Sequence, residues 1–170
     1  MVNKINKKLI SGISTIEILI VVAFISISLV SLLGVISYAL RISTLVRETT
    51  QANFIAQEAI EAVRNFRDGT DWNTNGLRDY IPGGATTSGA YHPELDATFD
   101  PPKWKLVSGT EQIDGFTRKI VFEKVSRAGN GDVEQAYNPV GDDSNTRKVI
   151  TIVSWKDKEI NLVTYLTNWK

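Results

Sequence analysis

The chain has 170 residues, and its 19 Lys and Arg balance its 19 Asp and Glu, so the formal net charge is zero. This length suits one modest domain plus an anchor, and the neutral balance gives no electrostatic footprint of nucleic-acid binding, so we do not expect a nucleic acid among its partners. The sequence contains no cysteine, which excludes disulfides, thiolate metal sites and cysteine nucleophiles.

An apolar stretch near the N-terminus predicts a membrane helix. It runs from Ile18 to about Ile36 with only small polar interruptions, and at ~1.5 Å per residue it is long enough to span a hydrocarbon core of ~30 Å. Lysines precede the stretch, so the positive-inside bias places the N-terminus in the cytoplasm and the rest of the chain outside. The sequence therefore predicts a single-pass protein of the cytoplasmic membrane.

Glu17 stands at the head of this stretch as a lone charge. A carboxylate inside a membrane helix costs roughly 2.5–3.5 kcal/mol at the bilayer centre and less near the interface, so its presence needs a reason. One explanation is an interfacial acid whose side chain reaches the lipid headgroups. A second explanation depends on the residues that precede it.

The segment from Lys7 to Ile20 reads KKLISGISTIEILI and resembles the N-terminus of type IV prepilins and pseudopilins. In that family a short basic leader ends in glycine, a prepilin peptidase cuts after the glycine, the new N-terminus is methylated, and a glutamate follows as the fifth mature residue. This sequence departs from the family pattern at three positions: Ile13 replaces the usual Phe, Ser14 replaces the usual Thr, and Thr15 stands where an aliphatic residue is common.

The resemblance implies how the N-terminus is processed. Residues 1–12 would form the basic leader, with its charges at Lys7 and Lys8. Cleavage would occur after Gly12, so that Ile13 becomes the first mature residue and is methylated.

By the same resemblance, Glu17 is the characteristic acid that acts in filament assembly. Ile13 and Glu17 are four residues apart, so the carboxylate lies about one helical turn from the new α-amine on the same face. In a staggered helical array, the Glu17 of one subunit would meet the α-ammonium of its neighbour. Such a pair in a filament core favours one axial register, because a slipped register leaves a charge unpaired at a cost of several kcal/mol.

The sequence after the apolar stretch continues the same helix. The interpretation is one helix over residues 13–67, about 80 Å long. Residues 13–36 are its transmembrane or filament-core part, residues 37–67 are amphipathic, and Asp68-Gly69 ends it. One stripe of the amphipathic part recurs at spacings of three and four, and it consists of Ile42, Leu45, Val46, Thr49, Ala52, Ile55, Ala56, Ala59, Ile60, Val63 and Phe66.

A secretory signal peptide is the competing interpretation, because Ser37-Tyr38-Ala39 resembles a small-x-small cleavage site. The apolar segment is longer than the ~7–15 residues of an ordinary signal-peptide core, and it carries Glu17 near its start. Cleavage after Ala39 would also divide a helix that the periodicity predicts to be continuous.

Beyond the helix the composition changes. Residues 68–102 are rich in Gly, Asn, Asp, Thr and Pro, which predicts a loop. Residues 103–170 predict an antiparallel β-domain, a meander of four strands with turns at Asp114-Gly115 and at 156–159. The fold class predicted is α+β, a long N-terminal helix, hydrophobic and then amphipathic, packed on a C-terminal antiparallel sheet as in pilins. The four extended runs are 104–107, 116–125, 147–155 and 160–165.

One constellation in the predicted loop has the chemistry of a metal site. Pro82 stands where an EF-hand would place its bidentate Glu, and the competing interpretation is a polar Asn-Gly turn. Oxygen-bearing side chains nevertheless occupy the first, third, fifth and ninth positions around a glycine at the sixth, as at the start of a calcium loop. The predicted calcium ligands are Asp71, Asn73, Asn75 and Asp79.

No catalytic constellation is recognisable in the sequence. The single histidine, His92, has no second histidine or cysteine to act with, and there is neither a phosphate-binding glycine loop nor a nucleophile elbow. We therefore do not expect an enzyme, and we expect no cofactor other than calcium.

Together these features predict a structural subunit, a minor pilin or pseudopilin of a type IV pilus or a filament like that of type II secretion. It would be stored in the membrane, cleaved after Gly12 and assembled through its N-terminal helix into an extracytoplasmic or cell-surface filament. The resemblance implies as partners a prepilin peptidase, other pilin subunits, a platform membrane protein and an assembly ATPase. The alternative is a permanently membrane-anchored extracellular module whose β-domain binds or adheres.

Overall fold

A single long helix opens the part of the chain that the computed structural model describes, which is residues 14–169. This helix, α1, covers Thr15–Gly69, a length of 55 residues. The expectation of one long N-terminal helix is therefore confirmed. The predicted leader charges, Lys7 and Lys8, lie outside the described residues, and so does the predicted cleavage site between Gly12 and Ile13.

Six strands follow the helix and form one antiparallel sheet. The strand order is β2-β1-β4-β5-β6, and β3 pairs with β4 outside this path. A 3-10 turn at Pro139–Gly141 leads into β5. The strands are β1 (Tyr91–Asp96), β2 (Lys103–Ser108), β3 (Glu111–Ile113), β4 (Phe116–Ser126), β5 (Asp142–Trp155) and β6 (Lys158–Thr167).

The chain divides within α1 into two compact units. The first ends at Arg47, and the second begins at Glu48. In the second unit, α1 buries one stripe of side chains against the sheet, and four of the eight buried positions are alanines. The predicted α+β class, with the helix packed on an antiparallel sheet, is confirmed. The buried helix positions are Ala52, Ile55, Ala56, Ala59, Ile60, Ala62, Val63 and Phe66.

The buried stripe begins later than the periodicity predicts. Ile42 and Val46 share the helical spacing of the stripe, yet 39% and 57% of their surface is exposed. Both lie in the first unit, which contains none of the strands. These two apolar side chains therefore have no packing partner within the described part of their own unit.

The loop predicted over residues 68–102 contains a strand, β1, and this is a correction. The strand was missed because its sequence, which includes Pro93, lacks the β-branched residues that signal a strand. Proline is tolerated because β1 pairs with β4 at only one position, Tyr91 opposite Ile120. Six residue pairs with β2 secure the other side of the strand.

The insertion of β1 also changes the predicted strand order. A meander of the four predicted strands would place β2 directly beside β4, whereas β1 lies between them. The two predicted turns are in place. Asp114 and Gly115 have φ values of 50° and 83° between β3 and β4, and Lys156 has a φ of 51° in the turn that pairs Trp155 with Lys158.

Candidate functional site

The N-terminal part of α1 is an exposed apolar helix. Every side chain from Ser14 to Thr44 is exposed, and by length and composition this helix is able to cross a membrane. Soluble monomers rarely expose contiguous apolar patches larger than a few hundred Å², and larger patches are typical of surfaces that contact lipid or other protein chains.

Three serines in the apolar part of this segment are satisfied by their own helix. The hydroxyls of Ser26, Ser28 and Ser31 donate to the carbonyl oxygens four residues earlier, at 2.7, 2.8 and 2.9 Å. A hydroxyl paired in this way leaves no free donor on the helix surface, which lowers the cost of placing it in an apolar environment. The small polar interruptions are therefore compatible with a membrane or a filament core.

Glu17 differs from these serines. It lies in the first turn of the helix, where the carbonyl of Ser14 accepts hydrogen bonds from the N–H groups of Glu17 (3.0 Å) and Ile18 (3.3 Å). Its carboxylate has no hydrogen-bond or ion-pair partner among residues 14–169. The helix dipole favours an acid here by ~0.3–1 kcal/mol, and a charge costs roughly 2.5–3.5 kcal/mol at the bilayer centre and less near the interface.

The predicted calcium ligands lie together in the loop after α1, where their oxygens accept hydrogen bonds from the loop itself. Oδ1 of Asp71 accepts from the N–H groups of Asn73 (2.9 Å) and Thr74 (3.0 Å). Oδ1 of Asn73 accepts from the guanidinium of Arg78 at 2.9 Å. These bonds are those of a polar turn that satisfies its own backbone.

The second half of the loop has the same character. Oδ2 of Asp79 accepts from the N–H of Asn75 at 2.8 Å, and Asn75 adopts a φ of 58°. At Gly76 only glycine fits, because a Cβ there would lie 2.0 Å from the carbonyl oxygen of Asp71. Within residues 14–169, no three His, Asp or Glu side chains are placed to hold a metal. Calcium binding by this loop stays a prediction.

A buried arginine that the sequence reading passed over connects the helix to the sheet. Arg118 is 2% exposed. Its guanidinium donates to Oε2 of Glu111 at 2.5 and 3.1 Å and to the carbonyl of Ile55 in α1 at 3.2 Å. Oε2 of Glu58 lies 3.5 Å away. The sequence contains a sign that Arg118 is buried, because this residue shares the face of β4 that carries Phe116, Ile120 and Phe122.

A second polar group lies at the start of β5. Burial tends to raise the pKa of Asp143, but hydrogen bonds from the Thr146 hydroxyl (2.7 Å) and the Arg127 guanidinium (2.7 Å) bring that pKa below its ordinary value. The acid is therefore held in its charged form by structural partners. Nothing in this arrangement indicates a catalytic role.

A third contact joins α1 to the turn between β5 and β6. The Lys156 ammonium donates to Glu48 at 2.6 Å and lowers the pKa of that carboxyl, against a smaller opposing effect of desolvation. The indole of Trp155 donates to the other oxygen of Glu48 at 3.2 Å. Like Asp143, Glu48 is an acid with structural partners, whereas Glu17 has none among residues 14–169.

Comparisons with protein-family models, with curated proteins and with solved structures found no match to this chain.

Proposed function

We propose that this chain is a filament subunit of the minor pilin or pseudopilin kind. It is held in the cytoplasmic membrane with its N-terminus inside, cut after Gly12, and assembled through the exposed part of α1 with other pilin subunits. The observation that carries the proposal is Glu17, the one charged side chain between Ser14 and Leu40 in an exposed apolar helix.

The acid favours a filament over a simple anchor on energetic grounds. An anchor needs only an apolar span, and a carboxylate within it costs stability without return. In a filament, Glu17 of one subunit would pair with the α-ammonium of the neighbouring subunit. This pair would give the same acid a role, because it selects one axial register. Glu17 lies in the first described helical turn, four residues along the sequence from the Ile13 that cleavage after Gly12 would make the first residue.

The second unit is consistent with this role. Residues from Glu48 onward hold their own core between α1 and the sheet. The apolar surface of the first unit is therefore not needed to fold the β-domain and is free to contact lipid before assembly and other helices after it.

The experiment compares Glu17→Val with Ser28→Val, which removes a polar group from the same segment but no charge. Both variants and the wild type are expressed in cells that make the filament, and the membrane pool is separated from sheared fibres. We expect equal membrane amounts, but fibre incorporation of Glu17→Val at least about tenfold lower, because an unpaired buried ammonium costs ~3–5 kcal/mol. Ser28→Val should behave as the wild type.

The outcomes separate the two candidate functions. Equal incorporation of Glu17→Val and wild type would contradict the register role of Glu17. A wild-type protein that stays entirely in the membrane pool after shearing would contradict the filament and favour the permanently anchored binding or adhesive module.

A further inference from the structure

The sequence contains two Asn-Gly pairs, at 75–76 and 130–131, and both lie in loops. An asparagine followed by glycine is the one most easily attacked by its own backbone, because glycine has no Cβ to obstruct the approach. The attacking atom is the backbone nitrogen of the glycine, and its target is Cγ of the asparagine. The hydrogen bonds made by these two groups therefore decide which pair reacts in the folded protein.

The pair at 130–131 is restrained at both groups. Nδ2 of Asn130 donates to Oδ2 of Asp132 at 2.7 Å, and Oδ1 of Asn130 accepts from the N–H of Asp132 at 3.1 Å. The N–H of Gly131 donates to the carbonyl of Ala128 at 2.8 Å. Attack on Asn130 therefore requires that these three hydrogen bonds break first.

The pair at 75–76 has neither restraint. The side chain of Asn75 is exposed, and neither its amide nor the N–H of Gly76 makes a hydrogen bond among residues 14–169. An N–H without an acceptor loses its proton to hydroxide more readily than a bonded one, as hydrogen exchange shows in proteins. Asn75 and Asp79 also line an open cavity of about 240 Å³ with Tyr80 and Tyr91, so water reaches the amide.

We propose that Asn75 is a site of spontaneous deamidation in the folded protein and that Asn130 is not. The backbone nitrogen of Gly76 loses its proton to solvent hydroxide and forms a bond to Cγ of Asn75. The bond from Cγ to Nδ2 breaks, and the side-chain nitrogen leaves as ammonia. Water then opens the resulting succinimide ring at either carbonyl carbon, which gives aspartate or isoaspartate at position 75.

The modification changes both the charge and the backbone of the loop after α1. It adds a carboxylate to a loop that already contains Asp71 and Asp79. Isoaspartate also adds a methylene group to the backbone beside Gly76, where the close approach to Asp71 leaves no room even for a Cβ. The proposal does not rest on the filament function, because it requires only the folded loop and water.

The test follows both pairs in the same sample. The full chain in detergent micelles is incubated in mildly alkaline buffer with a chelator, so that no calcium holds the amide of Asn75, and peptide mapping by mass spectrometry measures deamidation at each site over time. We expect Asn75 to react at least about tenfold faster than Asn130, because only Asn130 must first break its hydrogen bonds. In urea the two rates should become similar, because both pairs then lie in an unfolded chain.

Two variants test the structural reason for the difference. Asp132→Ala removes the acceptor of the Asn130 amide and should raise the rate at Asn130 several-fold while the rate at Asn75 stays the same. Asn75→Gln is the matched control, because its longer side chain forms the ring far more slowly and should leave the peptide unmodified over the same period. The comparison within the wild type needs no substitution, so it stands even if a variant unfolds.

Three results would overturn the proposal. The first is deamidation of Asn75 no faster than that of Asn130 in the folded protein. The second is a ratio of the two rates that is as large in urea as in the folded protein, which would mean that the local sequence and not the fold sets it. The third is an unchanged rate at Asn130 in Asp132→Ala, which would mean that the hydrogen bond to Asp132 does not protect this pair.

Discussion

The two halves of α1 have the same secondary structure but opposite surroundings. From Thr15 to Arg47 no side chain is buried, whereas eight are buried between Ala52 and Phe66. Phe24 in the first half is 67% exposed, and Phe66 in the second is 7% exposed. Helical periodicity alone does not separate these halves. The difference is that, among the described residues, only the second half packs against a sheet.

The polar groups repeat this contrast. In the first half three serine hydroxyls, those of Ser26, Ser28 and Ser31, bond to carbonyls of their own helix. In the second unit, polar side chains make contacts distant in sequence, such as Arg118 to the carbonyl of Ile55 and the Trp72 indole to the carbonyl of Ser144. Only the second set contributes to a folded domain, and Glu17, the charge at the head of the first half, has no partner among residues 14–169.

The largest expected effect comes from truncating one phenylalanine in each half. Phe66→Ala removes a buried ring that packs edge-on against Tyr80, with centroids 5.5 Å apart, and should lower the free energy of unfolding by ~3–5 kcal/mol. Phe24→Ala should leave it unchanged. Urea unfolding of the full chain in detergent, followed by tryptophan fluorescence, measures both, since all four tryptophans lie in the second unit. Equal losses would mean that the first half is part of the folded core.

A smaller effect is expected from the polar contact of the second unit. Glu111→Gln weakens the pairing of buried Arg118 and should lower the free energy of unfolding by about 2 kcal/mol, as expected for a hydrogen bond to a charged group. The matched control is Glu61→Gln, which breaks an exposed pair with Arg64 and should cost less than about 0.5 kcal/mol. If the two substitutions cost the same, Arg118 does not fasten the helix to the sheet.

The features of this fold are not equally easy to predict from the sequence. The long helix, its end near Gly69 and the turns at Asp114-Gly115 and 156–159 follow from local signals, because turn chemistry and helical spacing are read directly along the chain. β1 does not follow, because Pro93 and its neighbours carry no strand signal and pairing with β2 overrides their propensity. Pairing between strands is a property of the folded chain.

The candidate site divides in the same way. The sequence singles out Glu17, because an acid in an apolar run is visible without a structure, and its role in assembly stays a prediction. Arg118 also lies in plain sequence among alternating apolar residues of β4, but its partner Glu111 and the carbonyl of Ile55 become visible only when the strands and the helix are in place.

The smallest expected effect concerns the loop after the helix. If Asp71, Asn73, Asn75 and Asp79 bind calcium with a Kd near 1 mM, 10 mM calcium should stabilise the second unit by about 1.4 kcal/mol through mass action. The measurement is the melting temperature of the full chain in detergent with calcium or with a chelator, and Asp79→Asn should remove any difference. Identical melting curves would leave the loop as the self-bonded turn that its hydrogen bonds describe.

The central claim is that the exposed half of α1 is a processed assembly element that stays attached to the β-domain. Intact-mass and N-terminal mass spectrometry of the protein extracted from its own membrane tests this claim most directly. The account predicts a chain that begins at Ile13, methylated at its amine, and continues through the described C-terminal residues. A mature chain that begins at Leu40 would show a cleaved signal peptide, and an uncut chain that begins at Met1 would show a permanent anchor. Either result would contradict the account.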